Sequence, residues 1–318
     1  MSGPSSTSAP QNVAIHVLRS LAILLIVNSH MTPLYPDGRF AVGGHLGNSI
    51  FFFASGFGLL LSYINRPLAP IDWYRRRFLR LFVPAILFFI IANPANPQKL
   101  LYDIWQNMIP HSLEQSTRFL PNLIVLYLLF PLVVGRNSFR LALLAIALIA
   151  PAALVLGSNN YSLATNPSSD ILYCFNALCM FLFGIIAGQH YSSSRNEGKS
   201  IPWLTIFITS MTLHTAIVHF IPSVRMINFY VNISTMTSLF FVAGRINDMS
   251  IFTRNAKFFA YIASLSLAVY ILHFELIKPT LQYIGKSFAT VPLFMAASII
   301  VAIPATLLSK KFMHISRI

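Results

Sequence analysis

Charged residues, and acids above all, are scarce in this sequence. Only 9% of the 318 residues are charged, with eight Asp and Glu against 22 Lys and Arg, whereas 56% are hydrophobic. Because so few polar residues do not cover the surface of a soluble globule of this size, we expect the chain to lie in a bilayer. Cys174 and Cys179 are the only cysteines, which excludes a disulfide framework and a cysteine-rich metal site.

Motifs that bind nucleotides or metals are also missing. The chain has no Gly-rich phosphate loop, no His-Glu-x-x-His sequence and no paired-carboxylate arrangement. Its basic residues form small clusters along the chain, which is typical of loops at a membrane surface and not of a nucleic-acid groove. We therefore expect no metal site, no ATP hydrolysis and no nucleic-acid partner.

Long apolar runs predict an all-α, polytopic integral membrane protein. About ten runs are long enough to form helices that cross roughly 30 Å of hydrocarbon. They cover residues 13–31, 45–64, 78–92, 119–134, 139–155, 171–189, 201–220, 227–244, 258–277 and 291–308. The segment 100–110, which holds a Trp among polar residues, is expected to lie at the membrane interface. Residues 1–12 are polar and are expected to form a disordered tail.

The basic residues between these runs predict that both termini are cytoplasmic. With the N-terminus inside, fifteen of the 22 Lys and Arg fall in inner loops and the C-terminal tail, six fall in outer loops, and Arg19 lies within a run. Basic residues gather on the cytoplasmic side of membrane proteins. This distribution favours an even number of spans.

Arg19 and His30 both belong to the first apolar run. A charge that faces lipid costs roughly 2.5 kcal/mol or more, so Arg19 is expected to face the protein interior. His30 follows eleven residues later, which returns it to within about 20° of the same helix face and about 16 Å along the axis. A histidine at a helix end is often bonded only to its own loop, but the buried arginine on the same face weakens that alternative.

Four segments together resemble the type-3 membrane acyltransferases. Residues 18–30 resemble the first helix of that family, in which ten residues separate an Arg from a His. Residues 49–57 are similar to its Phe-Phe-x-x-Ser-Gly-Phe signature, residues 75–81 to its Arg-x-x-Arg motif, and residues 262–273 to its Ser-x-x-x-Tyr-x-x-His helix. The resemblance is to the stand-alone form, so residues 13–318 are expected to be a single transmembrane acyltransferase domain.

The resemblance implies a membrane O-acyltransferase. Such an enzyme moves an acyl group, expected here to be acetyl, from cytoplasmic acyl-CoA to a hydroxyl of a surface or lipid-linked glycan. Acyl-CoA would be a co-substrate, membrane lipid would be a partner, and no tightly bound cofactor is implied. The expected location is a cell membrane, in particular the bacterial inner membrane, which the chain would cross many times.

On this interpretation Arg19, Arg77 and Arg80 bind the acyl-CoA. Arg77 and Arg80 lie one turn apart on one helix face, and guanidinium groups hold phosphates well. The alternative is that the basic cluster only anchors the helix at the cytoplasmic surface. We favour binding for Arg77 and Arg80, and anchoring for Arg75 and Arg76.

The remaining candidate residues concern the acceptor side. The resemblance implies that His30 is the catalytic general base, which takes the proton of the acceptor hydroxyl. Ser55 either allows close helix packing, which we favour, or hydrogen-bonds the substrate. His273 and Glu275 are expected to support or bind the acceptor, although an interfacial histidine bonded to its own loop is an equal alternative.

Two other classes of function stay open. A membrane transporter also carries polar residues on spanning helices, but ion-coupled carriers usually have a carboxylate at mid-membrane, and the deep charge here is a cation. A non-catalytic component of a glycan assembly pathway would not need a titratable His30.

Overall fold

The computed structural model describes residues 13–108, 119–134, 167–193 and 245–315, together with positions 209, 235, 238, 239 and 241–243. The helices are α1 (Val13–His30), α2 (Gly44–Asn65), α3 (Pro70–Ala92), α4 (Pro97–Met108), α5 (Phe119–Val133), α6 (Pro167–Ser193), α7 (Ser250–Arg254), α8 (Ala256–Tyr283) and α9 (Thr290–Ile315), and a short 3-10 helix (Gly38–Phe40) precedes α2. No strand occurs in this part of the chain, so the predicted all-α class is confirmed there.

Several of these helices are long and apolar enough to cross a membrane. Within the described ranges there are four such segments, which are Val13–His30, Gly38–Asn65, Ala256–Tyr283 and Thr290–Phe312. They match four of the predicted runs. Helix α5 is also apolar but has only 15 residues, which is short for a complete span.

Part of the predicted topology lies outside the described residues. This applies to the tail 1–12, to the run 139–155, to all but one position of the run 201–220, and to most of the run 227–244. The count of about ten spans and the cytoplasmic position of both termini therefore stay predictions.

Helix α3 begins earlier than its apolar run, at Pro70 instead of residue 78. Proline is favoured in the first helical turn because the N–H groups of that turn have no partner within the helix, so the N–H that proline lacks is not missed. The helix also continues through Pro84, as α5 continues through Pro131, because neighbouring helices compensate for the lost hydrogen bond in membrane proteins. The segment predicted to be interfacial forms the amphipathic helix α4, on which Trp105 is exposed.

Helix α1 packs against α2 on one side and α8 on the other. The Ser20 hydroxyl donates a hydrogen bond to the Phe259 carbonyl of α8, at 3.1 Å. Helices α3 and α9 pack against α8 and against each other. The residues that face the space between α1, α3 and α8 therefore come from distant parts of the sequence.

Helices α2 and α6 cross in very close contact. A Cβ atom on Gly56 would overlap the backbone carbonyl of Phe181, and a Cβ atom on Gly184 would overlap that of Phe53. Glycine is required at both positions because the two backbones touch directly. This crossing fixes the position of α2, which contributes residues to the walls of both cavities described below.

Candidate functional site

Two adjoining cavities lie among the described helices. The first, here called the cationic cavity, has a volume of about 300 Å³ and is lined by residues of α1, α2, α3, α5, α8 and α9. The second, here called the His30 cavity, has a volume of about 420 Å³ and is lined by residues of α1, α2, α3, α4, α5 and α8. Phe119 and Tyr270 line both cavities, so the two spaces share this aromatic pair as part of their walls.

The cationic cavity is lined by Arg19, Arg77, Arg80 and Lys310, and no acidic residue lines it within the part of the chain that the structure describes. These four cations come from three helices, α1, α3 and α9, that pack around α8. Like charges at one site repel each other unless an anion lies between them. The arrangement is therefore suited to a ligand with several negative charges.

Arg19 is half-buried on α1, with its guanidinium carbon 5.4 Å from the centre of the Phe51 ring. Its Nε atom is buried and has no hydrogen-bond partner in the part of the chain that the structure describes, and the same holds for Thr306 Oγ1 in this cavity. Buried polar atoms are normally paired with protein, water or ligand. Both are unpaired polar atoms, within the described part of the chain, of residues that line this space.

The structure divides the four arginines of α3 into two pairs. Arg77 and Arg80 line the cationic cavity, whereas Arg75 and Arg76 do not line it. The helix face predicted from the sequence is thus the face that meets the cavity. The role of Arg77 and Arg80 in binding acyl-CoA stays a prediction.

Lys310 lines the cationic cavity but was not among the predicted site residues. No motif surrounds it. Its only signal in the sequence is its position at the end of the last apolar run, on the side of the membrane predicted for Arg80.

His30 is the last residue of α1, is exposed and lines the second cavity. Its ring centre lies 5.3 Å from that of His273 and 4.6 Å from that of Phe274, both on α8. Arg19 and His30 therefore line two different cavities, which adjoin at Phe119 and Tyr270.

The loop after His30 is held by Asn28, which lies two residues earlier on α1. The side-chain amide of Asn28 donates hydrogen bonds to the carbonyls of Phe40 and Val42, at 3.0 and 2.9 Å, and its oxygen accepts one from the Tyr35 hydroxyl. Three bonds from one side chain fix the loop next to the end of α1. The sequence showed Asn28 beside the histidine but did not indicate this role.

His273 is fully buried and lines neither cavity. Its Nδ1 lies 2.9 Å from the carbonyl oxygen of Val269. Because a carbonyl only accepts, Nδ1 carries the proton and Nε2 is left as an acceptor. No partner for Nε2 occurs among the described residues. His273 is thus bonded to its own helix, not to a loop, and it contacts the ring of His30 from behind the cavity wall.

Carboxylates and amides form one wall of the His30 cavity. Glu275 and Asp103 line it, and Lys99 Nζ lies 2.7 Å from Glu275 Oε1 and 3.4 Å from Asp103 Oδ2. The hydrogen bond that Lys99 donates to Glu275 raises the pKa of Lys99, so the ammonium is retained beside the acids. The sequence predicted Glu275 as a site residue but not Asp103, which reaches this wall only through the packing of α4.

Ser55 is fully buried on α2 and lines neither cavity. It precedes Gly56, at the close crossing of α2 and α6, and its hydroxyl oxygen has no partner within the described ranges. This position favours the interpretation of Ser55 as a small packing residue over contact with a substrate.

The family assignment rests on a match along nearly the whole chain. A family model described as an acyltransferase domain matches residues 12–309, a range that includes every named lining residue of the two cavities except Lys310. Comparisons with curated proteins and with solved structures found no match. Together with the four apolar helices long enough to cross a bilayer, the match confirms the resemblance predicted from the motifs. The chain is a membrane protein that belongs to the type-3 membrane acyltransferase family.

Proposed function

We propose that this acyltransferase moves an acetyl group from cytoplasmic acyl-CoA to a hydroxyl of a surface or lipid-linked glycan, in the bacterial inner membrane. One observation carries the proposal, namely that a cation-lined cavity and a cavity lined by His30 adjoin at Phe119 and Tyr270. Family membership supports acyl transfer in general. The identities of the acyl donor and of the acceptor are part of the proposal.

The donor binds in the cationic cavity. Acyl-CoA carries several phosphate charges, and arginine holds phosphate oxygens through paired, charge-assisted hydrogen bonds. Arg77 and Arg80 meet the phosphates together with Lys310, and the Arg19 guanidinium group holds a further polar group of the donor. A lining that has four cations, and no acid among the residues described, makes this cavity a poor site for a neutral sugar and a good one for CoA.

The acyl-bearing arm of the donor reaches His30 past Phe119 and Tyr270. The pantetheine arm is narrow and mostly uncharged, so it fits between aromatic side chains where a phosphate does not. The phosphates thus stay among the cations while the thioester lies in the His30 cavity. The cytoplasmic donor and the outer acceptor then meet without either one crossing the membrane completely.

His30 acts as the general base. Its neutral ring takes the proton of the acceptor hydroxyl while that oxygen attacks the thioester carbonyl carbon, which forms a tetrahedral intermediate. The intermediate collapses as the carbon–sulfur bond breaks, and the CoA sulfur takes the proton back from His30. The products are an O-acyl ester and free CoA, and a general base of this kind accelerates such a step by roughly 10²- to 10⁴-fold.

The test uses the purified protein in liposomes with radiolabelled acetyl-CoA and glycan extracted from cells that carry the gene. We expect ester-linked label in the glycan with the wild type and none with His30→Ala, while both proteins bind acetyl-CoA equally. Label that enters the liposomes as intact acetyl-CoA would indicate a transporter instead. Glycan labelling that is equal for both proteins would exclude His30 as the base.

A further inference from the structure

The lining of the His30 cavity restricts which acceptor it takes. At about 420 Å³ the cavity lies in the usual size range of small-molecule sites. Its lining differs sharply from that of the cationic cavity, because none of the described residues that line it is an arginine or a lysine. The donor and the acceptor would therefore meet opposite electrostatic environments.

The charge at this wall is negative in a protein that is strongly positive overall. Asp103 and Glu275 line the cavity, and Lys99 is the cation paired with both. The formal sum of these three groups is one negative charge, although the whole chain has a formal net charge of +14. An anionic ligand placed here would face like charge, which costs binding energy, and among the described residues no cation lines the cavity to offset that cost.

The polar groups of the cavity are suited to hydroxyl groups. The buried Oδ1 atom of Asn48 has no hydrogen-bond partner in the described part of the chain, and Asn48 lines this cavity. Amide and carboxylate oxygens accept hydrogen bonds from hydroxyls. Phe274 and Tyr270 supply aromatic surface on which the apolar face of a sugar ring packs. A few polar groups on an aromatic wall are typical of sites that orient a small ligand.

We infer that the His30 cavity binds an acceptor whose reacting sugar is uncharged or carries an amine. Asp103, Glu275 and Asn48 accept hydrogen bonds from its hydroxyls, so that one hydroxyl lies at His30. Sugars with a carboxylate, sulfate or phosphate on the reacting unit are excluded by the two lining acids. This inference rests on the proposed function, since it describes the acceptor of the same reaction.

The first experiment identifies the sugar that is acylated. Purified protein in liposomes is incubated with labelled acetyl-CoA and the glycan of cells that carry the gene, and lipid phosphates are then removed by mild acid. The glycan is cleaved to single sugars, and mass spectrometry identifies the unit that carries the acetyl group. A neutral or amino sugar supports the inference. An acidic sugar overturns it but leaves acyl transfer to a glycan intact, whereas a complete absence of labelled sugar overturns both.

The second experiment tests the two acids. Asp103→Asn and Glu275→Gln each remove one charge with little change in size, and we expect each to raise the apparent KM for the glycan at least tenfold without changing the KM for acetyl-CoA. Asp248→Asn is the matched control, because Asp248 is exposed and lines neither cavity, and it should leave both constants unchanged. A normal KM for acetyl-CoA also shows that a variant is folded. If neither acid variant changes the glycan KM, or if only the acetyl-CoA KM changes, the acids do not bind the acceptor.

Discussion

The rings of Phe119 and Tyr270 lie with their centres 4.9 Å apart, and these two residues line both the cationic cavity and the His30 cavity. Phe119 is the first residue of α5, and Tyr270 lies in the middle of α8. In the proposed reaction the acyl group must pass this pair to reach His30. The pair should therefore influence which acyl groups are transferred.

Phe119→Leu should broaden the range of acyl donors. The smaller side chain leaves more room beside Tyr270, and one methylene in an apolar site is worth roughly 1–3 kcal/mol of discrimination. We expect the kcat/KM for butyryl-CoA relative to acetyl-CoA to rise about tenfold. Steady-state transfer measured with a series of acyl-CoAs checks this.

Phe130→Leu is the matched control for that variant, because Phe130 is also buried on α5 but lines neither cavity. It should leave the ratio unchanged even if it lowers stability. An equal change of the ratio in both variants would mean that general loosening of α5, and not the aromatic pair, sets the acyl selectivity.

Arg77→Ala and Arg80→Ala should each weaken acetyl-CoA binding. A hydrogen bond to a charged group contributes about 1.5–3 kcal/mol, so we expect the dissociation constant to rise by roughly 10- to 100-fold. Arg75→Ala and Arg76→Ala change the same residue type on the same helix but outside the cavity, and they should have little effect. Equal losses from all four variants would point to the net charge of α3 instead of a binding site.

The arginines of α3 also show how much of the site the sequence predicts. Helical periodicity places Arg77 and Arg80 on one face, but Arg76 lies four residues before Arg80 and shares that face by the same rule. The packing of α3 decides that Arg77 and not Arg76 lines the cavity. Lys310 and Asp103 reach the two cavities from other helices. Their position depends on how α4 and α9 pack, which local periodicity does not describe.

The fold was predictable to a similar extent. Apolar runs predicted the helices, because a segment that lies in lipid must satisfy its own backbone hydrogen bonds and does so by forming a helix. The burial of His273 was not predicted, because its position near a span end indicated an interfacial residue, whereas the structure has it inside the bundle with its Nδ1 on the Val269 carbonyl. A histidine bonded within its own helix leaves no pattern in the sequence.

Gly56→Ala should destabilise the protein at the crossing of α2 and α6. The added methyl group meets the backbone carbonyl of Phe181, which cannot move without moving α6, and overpacking of this kind costs typically 1–3 kcal/mol. Gly58→Ala is the control on the same helix, because its methyl group would lie 3.3 Å from the flexible end of the Ile15 side chain. Thermal unfolding in detergent should show a lower Tm for Gly56→Ala, and equal Tm values would mean that the crossing yields easily.

His30→Gln should abolish transfer while it preserves folding and acetyl-CoA binding. Glutamine still forms hydrogen bonds but does not accept the hydroxyl proton at neutral pH, so we expect kcat to fall by roughly 10²- to 10⁴-fold. The dissociation constant for acetyl-CoA should stay the same because the cations that bind its phosphates line the other cavity. Single-turnover transfer and equilibrium binding, measured on the same preparation, separate these two effects.

The variants His45→Gln and His273→Gln test whether His30, and not another histidine, is the general base. His45 is exposed at the start of α2 and lines neither cavity, so its variant should transfer acetyl groups normally. His273 contacts the His30 ring but has no access to the cavity, so its loss should lower kcat less than the loss of His30 does. Near-normal turnover in His30→Gln together with a complete loss in His273→Gln would reverse the assignment, since the base would then be the buried histidine with its unpaired Nε2.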